Sequence, residues 1–494
     1  MEYLSTRDAS LRKHASEAIV MGLARDGGLY TPVSFPTLTP GDLEKLGGMS
    51  YPERAAWIMK QFLEEFTQEE LDAYTRKAYR CPEKFDTPAA APVVARDERT
   101  SVLELWHGPT CAFKDMALQM LPYLLSASLQ KTGEKKTVCI LVATSGDTGK
   151  AALEGFRDVE QTRILVFYPK DGVSEIQQLQ MTTQEGGNVG VEAVEGNFDD
   201  AQNGVKRIFS DEEMREVLSE RGYFLSSANS INWGRILPQV VYYVSAYCDL
   251  VSQGRIVPGQ EISFCVPTGN FGDILAGYFA KCMGLPVKKL ICASNANNVL
   301  TDFLRTGVYD RNRPFYHTTS PSMDILISSN LERLLYLLSG SDEEVRGYME
   351  RLNADGRYAV SERLFARLKE EFACGFADDG RAAEAIRSQF EQGYLMDPHT
   401  AVAWAVLEDY RAATGDDTFC VVLSTANPYK FCSSVLDALG VPDPKEGTAI
   451  LSQMEAVTGV KAPAPLAELE GKRVRFDGSC EKQDMEKVVL EFLS

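Results

Sequence analysis

Histidine is scarce in this chain. There are four in 494 residues, and none is clustered with cysteine in a ligand spacing. That argues against a structural metal centre, and no metal is expected. An excess of basic residues is missing too. Lys and Arg total 51 against 70 Asp and Glu, a formal net charge of -19. A nucleic-acid or anionic-membrane partner needs a basic face, so neither is expected. Any phosphate-bearing ligand must then be held by local donors against the overall field. No apolar run reaches membrane-spanning length, and the first residues lack the basic-then-apolar character of a leader, so a cytoplasmic protein is expected. The eleven cysteines are odd in number and contain no Cys-x-x-Cys pair. Cys139, Cys265, Cys292 and Cys420 fall inside apolar runs and read as small buried hydrophobes in a reducing compartment.

What is present is enough for two or three domains, since 494 residues exceed one simple core. To about residue 95 the texture is helix and turn. Asp8 or Ser10 is read as the cap of a helix through residues 17–23, closed by Asp26-Gly-Gly. Pro40 begins another helix, and Thr67 opens a third with a capping-box pattern. The proline-rich residues 88–92 mark a boundary. Beyond it, strands expected at 138–143, 163–168, 190–194, 262–266, 290–293 and 419–423 alternate with helical stretches. This is the pattern of parallel sheets covered by helices, an α/β fold whose ligands sit beyond the C-terminal ends of strands. Residues 300–395 read as a helical insertion or outer layer. Residues 462–466 read as a linker.

The loops after strands carry the candidate chemistry. Thr144-Ser-Gly-Asp-Thr-Gly149 sets hydroxyls, glycines and backbone N–H groups at a helix start, which suits a carboxylate or phosphate, or equally a capped turn. It lacks the spacing of a P-loop. Thr268-Gly-Asn-Phe-Gly-Asp273 brings Gly269 and Gly272 to the start of another helix, where a phosphate monoester or an ordinary turn would both fit. Ser424-Thr-Ala-Asn427 places hydroxyls at a strand end, within reach of a ring nitrogen or simply satisfied there. Asn229-Ser-Ile-Asn232 precedes Arg235, a guanidinium among uncharged polar groups, suited to a phosphate or to a salt bridge. Finally, Lys114 stands at the start of an apolar helical run. Burying an ammonium costs several kcal/mol unless compensated, and lysine is the side chain that forms Schiff bases.

Taken together, His107-Gly-Pro-Thr-Cys-Ala-Phe-Lys-Asp115, the Thr144–Gly149 loop, Asn229-Ser-Ile-Asn-Trp233 with Arg235, Gly269-Asn-Phe-Gly-Asp273, and Ser424-Thr-Ala with Lys430-Phe431 resemble the threonine synthases. These are pyridoxal-phosphate enzymes of the tryptophan-synthase-β-like fold (PLP fold type II). Tyr3-Leu-Ser-Thr-Arg7 and Asp26-Gly-Gly-Leu-Tyr30 resemble the longer class, with a mainly helical N-terminal domain. The resemblance implies an N-terminal domain over 1–95, a large cofactor-binding α/β domain over 96–135 and 236–460, a small mobile α/β domain over 136–235, and a C-terminal segment over 461–494.

The resemblance also implies roles. Lys114 bonds the cofactor and moves protons. Gly269, Asn270, Phe271, Gly272 and Asp273 surround the cofactor phosphate, and Thr425 faces the pyridine nitrogen. Thr144, Ser145, Gly146, Asp147 and Thr148 grip the substrate carboxylate, and Asn232 and Arg235 take the substrate phosphate. The implied reaction converts O-phospho-L-homoserine and water to L-threonine and phosphate, in a monomer or homodimer. A dehydratase or cysteine synthase of the same fold is the near alternative, and a catalytically idle metabolite binder the distant one. Two residues depart from the family pattern: Asn427 stands where histidine is usual, and Cys111 where an aliphatic is. Asp147 would repel a carboxylate unless it caps the helix or is protonated.

Overall fold

The computed structural model describes residues 1–170 and 172–494. Two parallel sheets dominate it. The larger has six strands in the order Phe372–Phe376, Val287–Ser294, Ile262–Pro267, Cys420–Ser424, Thr100–Glu104 and Val93–Ala95. Only the short Val93–Ala95 edge runs antiparallel. The smaller has five, in the order Ser479–Glu481, Val189–Glu195, Thr162–Pro169, Thr137–Ala143 and Tyr223–Ser226, all parallel. The six strands expected from apolar runs are all present. Their near-continuous burial, complete in Ile262–Pro267 and in Cys420–Ser424, is what sheets covered on both faces require.

The helix Trp233–Ser252 is the hub of the molecule. It packs against the helices Gly272–Cys282, Tyr51–Phe62 and Pro40–Gly47. Trp233 is fully buried and meets Tyr3, Phe62 and Phe279, with ring centroids 5.1, 5.8 and 5.7 Å away. Burying aromatics of this size stabilises by about 2–3 kcal/mol each. The N-terminal part is thereby fixed to the same helix that carries Arg235. A second tie is Arg333, fully buried, whose guanidinium donates to the carbonyls of Tyr30, Ser230 and Ile231.

Three expectations are corrected. Neither Asp8 nor Ser10 caps a helix: Asp8–His14 is a strand paired antiparallel with Glu2–Ser5, and the helix begins at Ala15 behind His14. The N-terminal part therefore carries a three-stranded sheet beside its helices, completed by Tyr30–Pro32. Residues 300–395 are more than an outer layer, because Phe372–Phe376 forms the edge of the larger sheet. Residues 462–466 run into the short helix Ala464–Ala467, and the strand that follows joins the smaller sheet. Among the described residues, no helix is long and apolar enough to cross a membrane.

Candidate active site

A cavity of about 960 Å³ opens between the C-terminal ends of the two sheets. Lys114 lines it. The lysine is held there by its own turn: the Asp115 carboxylate accepts from both the N–H and the hydroxyl of Thr110 at 2.8 and 2.7 Å. Burial raises the Asp115 pKa to about 6 against those bonds. The turn is then docked onto the loop after Cys420–Ser424, since the Phe113 amide donates to the Thr425 carbonyl at 2.8 Å. Lys114 and Thr425 are thus held in one unit, and Thr425 also lines the cavity.

Lys114 is nine-tenths buried; its amine makes two long polar contacts among the described residues, to Asp147 Oδ2 and Ser322 Oγ, both at 3.4 Å, and stands 4.8 Å from the centre of the Phe113 ring. Burial lowers its pKa, opposed by Asp147 and reinforced by Arg235 and Lys430. A lysine so placed is loosely bonded and biased toward the neutral, nucleophilic amine.

Asp147 answers the question its position raised. It neither caps the helix nor is neutral. It is the first residue of the helix Asp147–Phe156, with Gly146 at the cap position. Its carboxylate accepts from Lys430 at 2.9 Å and Gln177 Nε2 at 2.8 Å, besides Lys114. Burial would raise its pKa, but Lys430 and Lys114 outweigh burial and take it well below the usual carboxylate range. Gly146 has φ 126°, and a Cβ there would lie 2.5 Å from the Gln177 side chain, so the turn needs glycine. Thr144 is spent inward: its hydroxyl accepts from the Gly146 and Gly149 amides, both at 2.9 Å. Ser145 and Thr148 line the cavity.

The loop before Gly272–Cys282 brings Gly269, Asn270, Gly272 and Asp273 to the cavity wall. Phe271 does not join them through its side chain. Its ring is fully buried against Phe372, 5.8 Å away, and only its backbone, at φ 64°, shapes the loop. Burial pushes the Asp273 carboxyl up to about 7, so a proton there removes the repulsion an anion would meet. The carbonyl of Ser322 would lie 2.6 Å from a Cβ at Gly269, so the two loops touch backbone to backbone.

Asn232 is a correction. Its Oδ1 accepts from the Gly234 amide and its Nδ2 donates to Ile19 and Ser227 carbonyls, so it caps the hub helix and does not line the cavity. Asn229, three residues earlier, does line it, and its Oδ1 has no partner among the described residues. Arg235 also lines the cavity. Its guanidinium donates to the Ala228 carbonyl at 2.9 Å and has no carboxylate partner among the described residues. Burial takes its pKa down to about 10, so it stays charged. A buried, unpaired guanidinium is costly alone and suited to an incoming anion.

Sequence reasoning passed over four contributors. Ser322 lies in the short 3-10 turn Pro321–Met323, which follows the minor strand Val308–Asp310 and no strand of the two large sheets. Its backbone amide donates to Nε2 of His399, whose Nδ1 faces Asp397 Oδ1 at 2.8 Å. Asp397 and His399 open the helix Pro398–Thr414, where Asp-Pro-His reads as a cap and is one. Lys430, quoted only as part of a motif, is fully buried. Asn427 serves as a cap, accepting from the Tyr429 amide, which accounts for an amide at that position. Cys111 is buried with its thiol pushed up to about 12 by burial, so it is inert packing.

The donor set fits a ligand with both a phosphate and a carbonyl. There is a loosely bonded amine, a glycine loop at the positive end of an eleven-residue helix, and a second, unpaired cation for another anion. Among the described residues, no group of His, Cys, Asp or Glu could hold a metal ion.

Comparison with known proteins points the same way. The family model "Threonine synthase N terminus" matches residues 2–79, "Pyridoxal-phosphate dependent enzyme" matches 101–425, and "Threonine synthase, C-terminal" matches 400–488. Threonine synthase-like 1 of Homo sapiens is 40% identical over 95% of this chain, which spans 64% of that relative's length. Threonine synthase of Saccharomyces cerevisiae is 38% identical over 88% of this chain and 89% of its own. The crystal structure of PLP-bound threonine synthase from Brucella melitensis superposes with a TM-score of 0.87 at 40% identity, covering 100% of this chain and 99% of that one.

Proposed function

This chain belongs to the threonine synthase family of pyridoxal-phosphate-dependent enzymes, and on that premise we propose that it converts O-phospho-L-homoserine and water to L-threonine and phosphate. The observation that carries the reading is the pairing of a loosely bonded, buried Lys114 with two separate anion sites in one cavity. Pyridoxal phosphate bound there would supply an aldehyde for the lysine and a ring able to store negative charge.

The residues divide the work. Backbone N–H groups of Gly269–Asp273 receive the cofactor phosphate, helped by the helix they open. The Thr425 hydroxyl, at the cavity wall, would hold the pyridine nitrogen as a neutral partner, an arrangement that suits elimination and replacement better than transamination. Ser145 and Thr148, with the loop amides, receive the substrate carboxylate. Arg235, with Asn229, receives the substrate phosphate, whose departure from Cγ is eased by a fixed cation. Once free, the Lys114 amine would take protons from Cα and Cβ and return them to Cγ and Cα, with Ser322 Oγ orienting it. Water adds at Cβ. The unpaired thiols of the chain suit a reducing compartment such as the cytoplasm.

The test is product analysis. Protein loaded with pyridoxal phosphate and given O-phosphohomoserine should release phosphate and L-threonine in equal amounts. Release of ammonia from serine or threonine, with no phosphate from O-phosphohomoserine, would replace this reading with a dehydratase.

A further inference from the structure

The molecule contains a second buried lysine at the site, on the opposite side of Asp147 from Lys114. Lys430 is fully buried. Its ammonium donates to the Thr110 carbonyl at 2.8 Å and to Gln180 Oε1 at 2.9 Å, and pairs with Asp147 Oδ1 at 2.9 Å. Lys114 reaches the other oxygen, Oδ2, at 3.4 Å. One carboxylate therefore serves two lysines, the closer of which has no route to solvent.

Chemistry gives the arrangement its sense. Lys114 can attack a carbonyl or accept a proton only as a neutral amine, because an ammonium has no lone pair. If Lys114 were the sole partner of Asp147, becoming neutral would leave a buried carboxylate unpaired, which is strongly unfavourable. Lys430 removes that obstacle. It keeps Asp147 paired whether or not Lys114 is charged, and its own positive charge opposes an ammonium at Lys114. We propose that Lys430 is the standing counter-ion of Asp147, a positioning residue that leaves Lys114 free to work as a neutral amine.

The assignment rests on the cofactor reading above and adds a role for a residue that touches neither cofactor nor substrate. The remaining charged groups around the cluster agree with it. Arg235 faces the Lys114 amine from the hub helix, and Asp273 faces it from the glycine loop. Asp115 and Cys111 face Lys430 from the Lys114 turn. Of these, Asp147 is the carboxylate within ion-pair distance of either lysine.

Charge cancellation separates this role from simple packing. In the cofactor-free full chain, competitive acetylation read by peptide mass gives the pH at which Lys114 becomes reactive. Lys430→Met should move that midpoint upward by about one unit or more and slow borohydride-trappable bonding of pyridoxal phosphate to Lys114 about tenfold. The double variant Asp147→Asn with Lys430→Met should return both readings to within about threefold of the parent, since the buried carboxylate is gone with its counter-ion. An unchanged midpoint in Lys430→Met overturns the proposal. So does a double variant as impaired, or as unfolded, as the single one, because Lys430 would then matter only through Thr110 and Gln180. No substrate enters these measurements. A parent chain that bonds the cofactor normally yet releases no phosphate would sink the threonine synthase reading and leave this one standing.

Discussion

The backbone amide of Ser322 donates to Nε2 of His399 at 3.1 Å. The other ring nitrogen, Nδ1, faces Asp397 Oδ1 at 2.8 Å, so the imidazole is held on both sides. The bond matters because Ser322 touches the site twice, through its hydroxyl at Lys114 and its carbonyl against Gly269. His399→Ala would leave the partly buried amide without this acceptor, at a cost of about 1 kcal/mol. Both the melting temperature and the affinity for pyridoxal phosphate should fall, the latter about tenfold by fluorescence titration. Unchanged cofactor affinity would mean that the Ser322 loop holds its place without the histidine.

Lys114→Ala should abolish turnover with little effect on folding. The variant loses two long polar contacts and a contact with the Phe113 ring, while Asp147 keeps Lys430. The expected change in stability is about 1 kcal/mol or less. Borohydride treatment should leave no pyridoxyl group on the Lys114 peptide of the variant and one on that of the parent. Residual turnover would exclude Lys114 as the working amine.

Arg235→Ala should raise the Michaelis constant for O-phosphohomoserine by about tenfold to a hundredfold, the worth of a lost charge-assisted contact. Cofactor affinity should change much less. Arg235→Lys should rescue poorly, because a point charge does not reproduce the planar fork. Greater damage to cofactor affinity than to the Michaelis constant would move Arg235 out of the substrate's site.

Asp273 should make cofactor binding sensitive to pH. Burial raises its pKa to about 7, above the ordinary value for an aspartate. The fold therefore favours the protonated form, and that advantage is lost as pH rises from the ordinary range through 7. Above that point a carboxylate stands beside the phosphate loop. Asp273→Asn should match the parent's cofactor affinity at pH 6 and exceed it above pH 8 by about threefold or more. Parallel affinity curves for the two proteins across this range would refute the assignment.

His107 titrates with the same sign for a different cause. Burial would lower its pKa, but Asp86 at 2.6 Å and Glu104 at 2.9 Å outweigh burial and raise it to about 9. A folded-state pKa above the unfolded one stabilises fully below the ordinary histidine value, and the contribution disappears as pH rises through 9. Denaturant unfolding of the parent and of His107→Gln should differ most below pH 6.5 and converge above pH 9. A constant difference would place the contribution in packing against Trp106.

The sequence was legible where chemistry and period coincide. Strands such as Ile262–Pro267 are unbroken apolar runs because both of their faces are covered. Lys114 and the glycine loop could be placed at the cavity because burying an ammonium, or bringing two backbones together, demands particular residue types. Asp8–His14 could not be read, since its pairing with Glu2–Ser5 depends on a partner and only alternate residues are exposed, with no apolar stripe to show it. Phe372–Phe376 follows a charged helix without a turn and is a strand only because Val287–Ser294 offers an edge. His399 and Asn232 show a further limit. Capping and ligand binding use the same side chains, so Asn232, expected as a ligand, is a cap, while Asp397 caps a helix whose His399, unremarked in the sequence, holds Ser322.

The strand Ser479–Glu481 pairs with Val189–Glu195, and this sets an order of events during synthesis. At about 5–20 residues per second, the roughly 280 residues between them take about 15–60 s to be made. For that time the nascent smaller sheet has an open edge, long enough to meet another ribosome's product. The waiting strand carries Glu192 and Glu195, and acidic side chains on an edge discourage pairing with a stranger. Neutralising both should leave the finished molecule nearly as stable while lowering the yield of soluble protein.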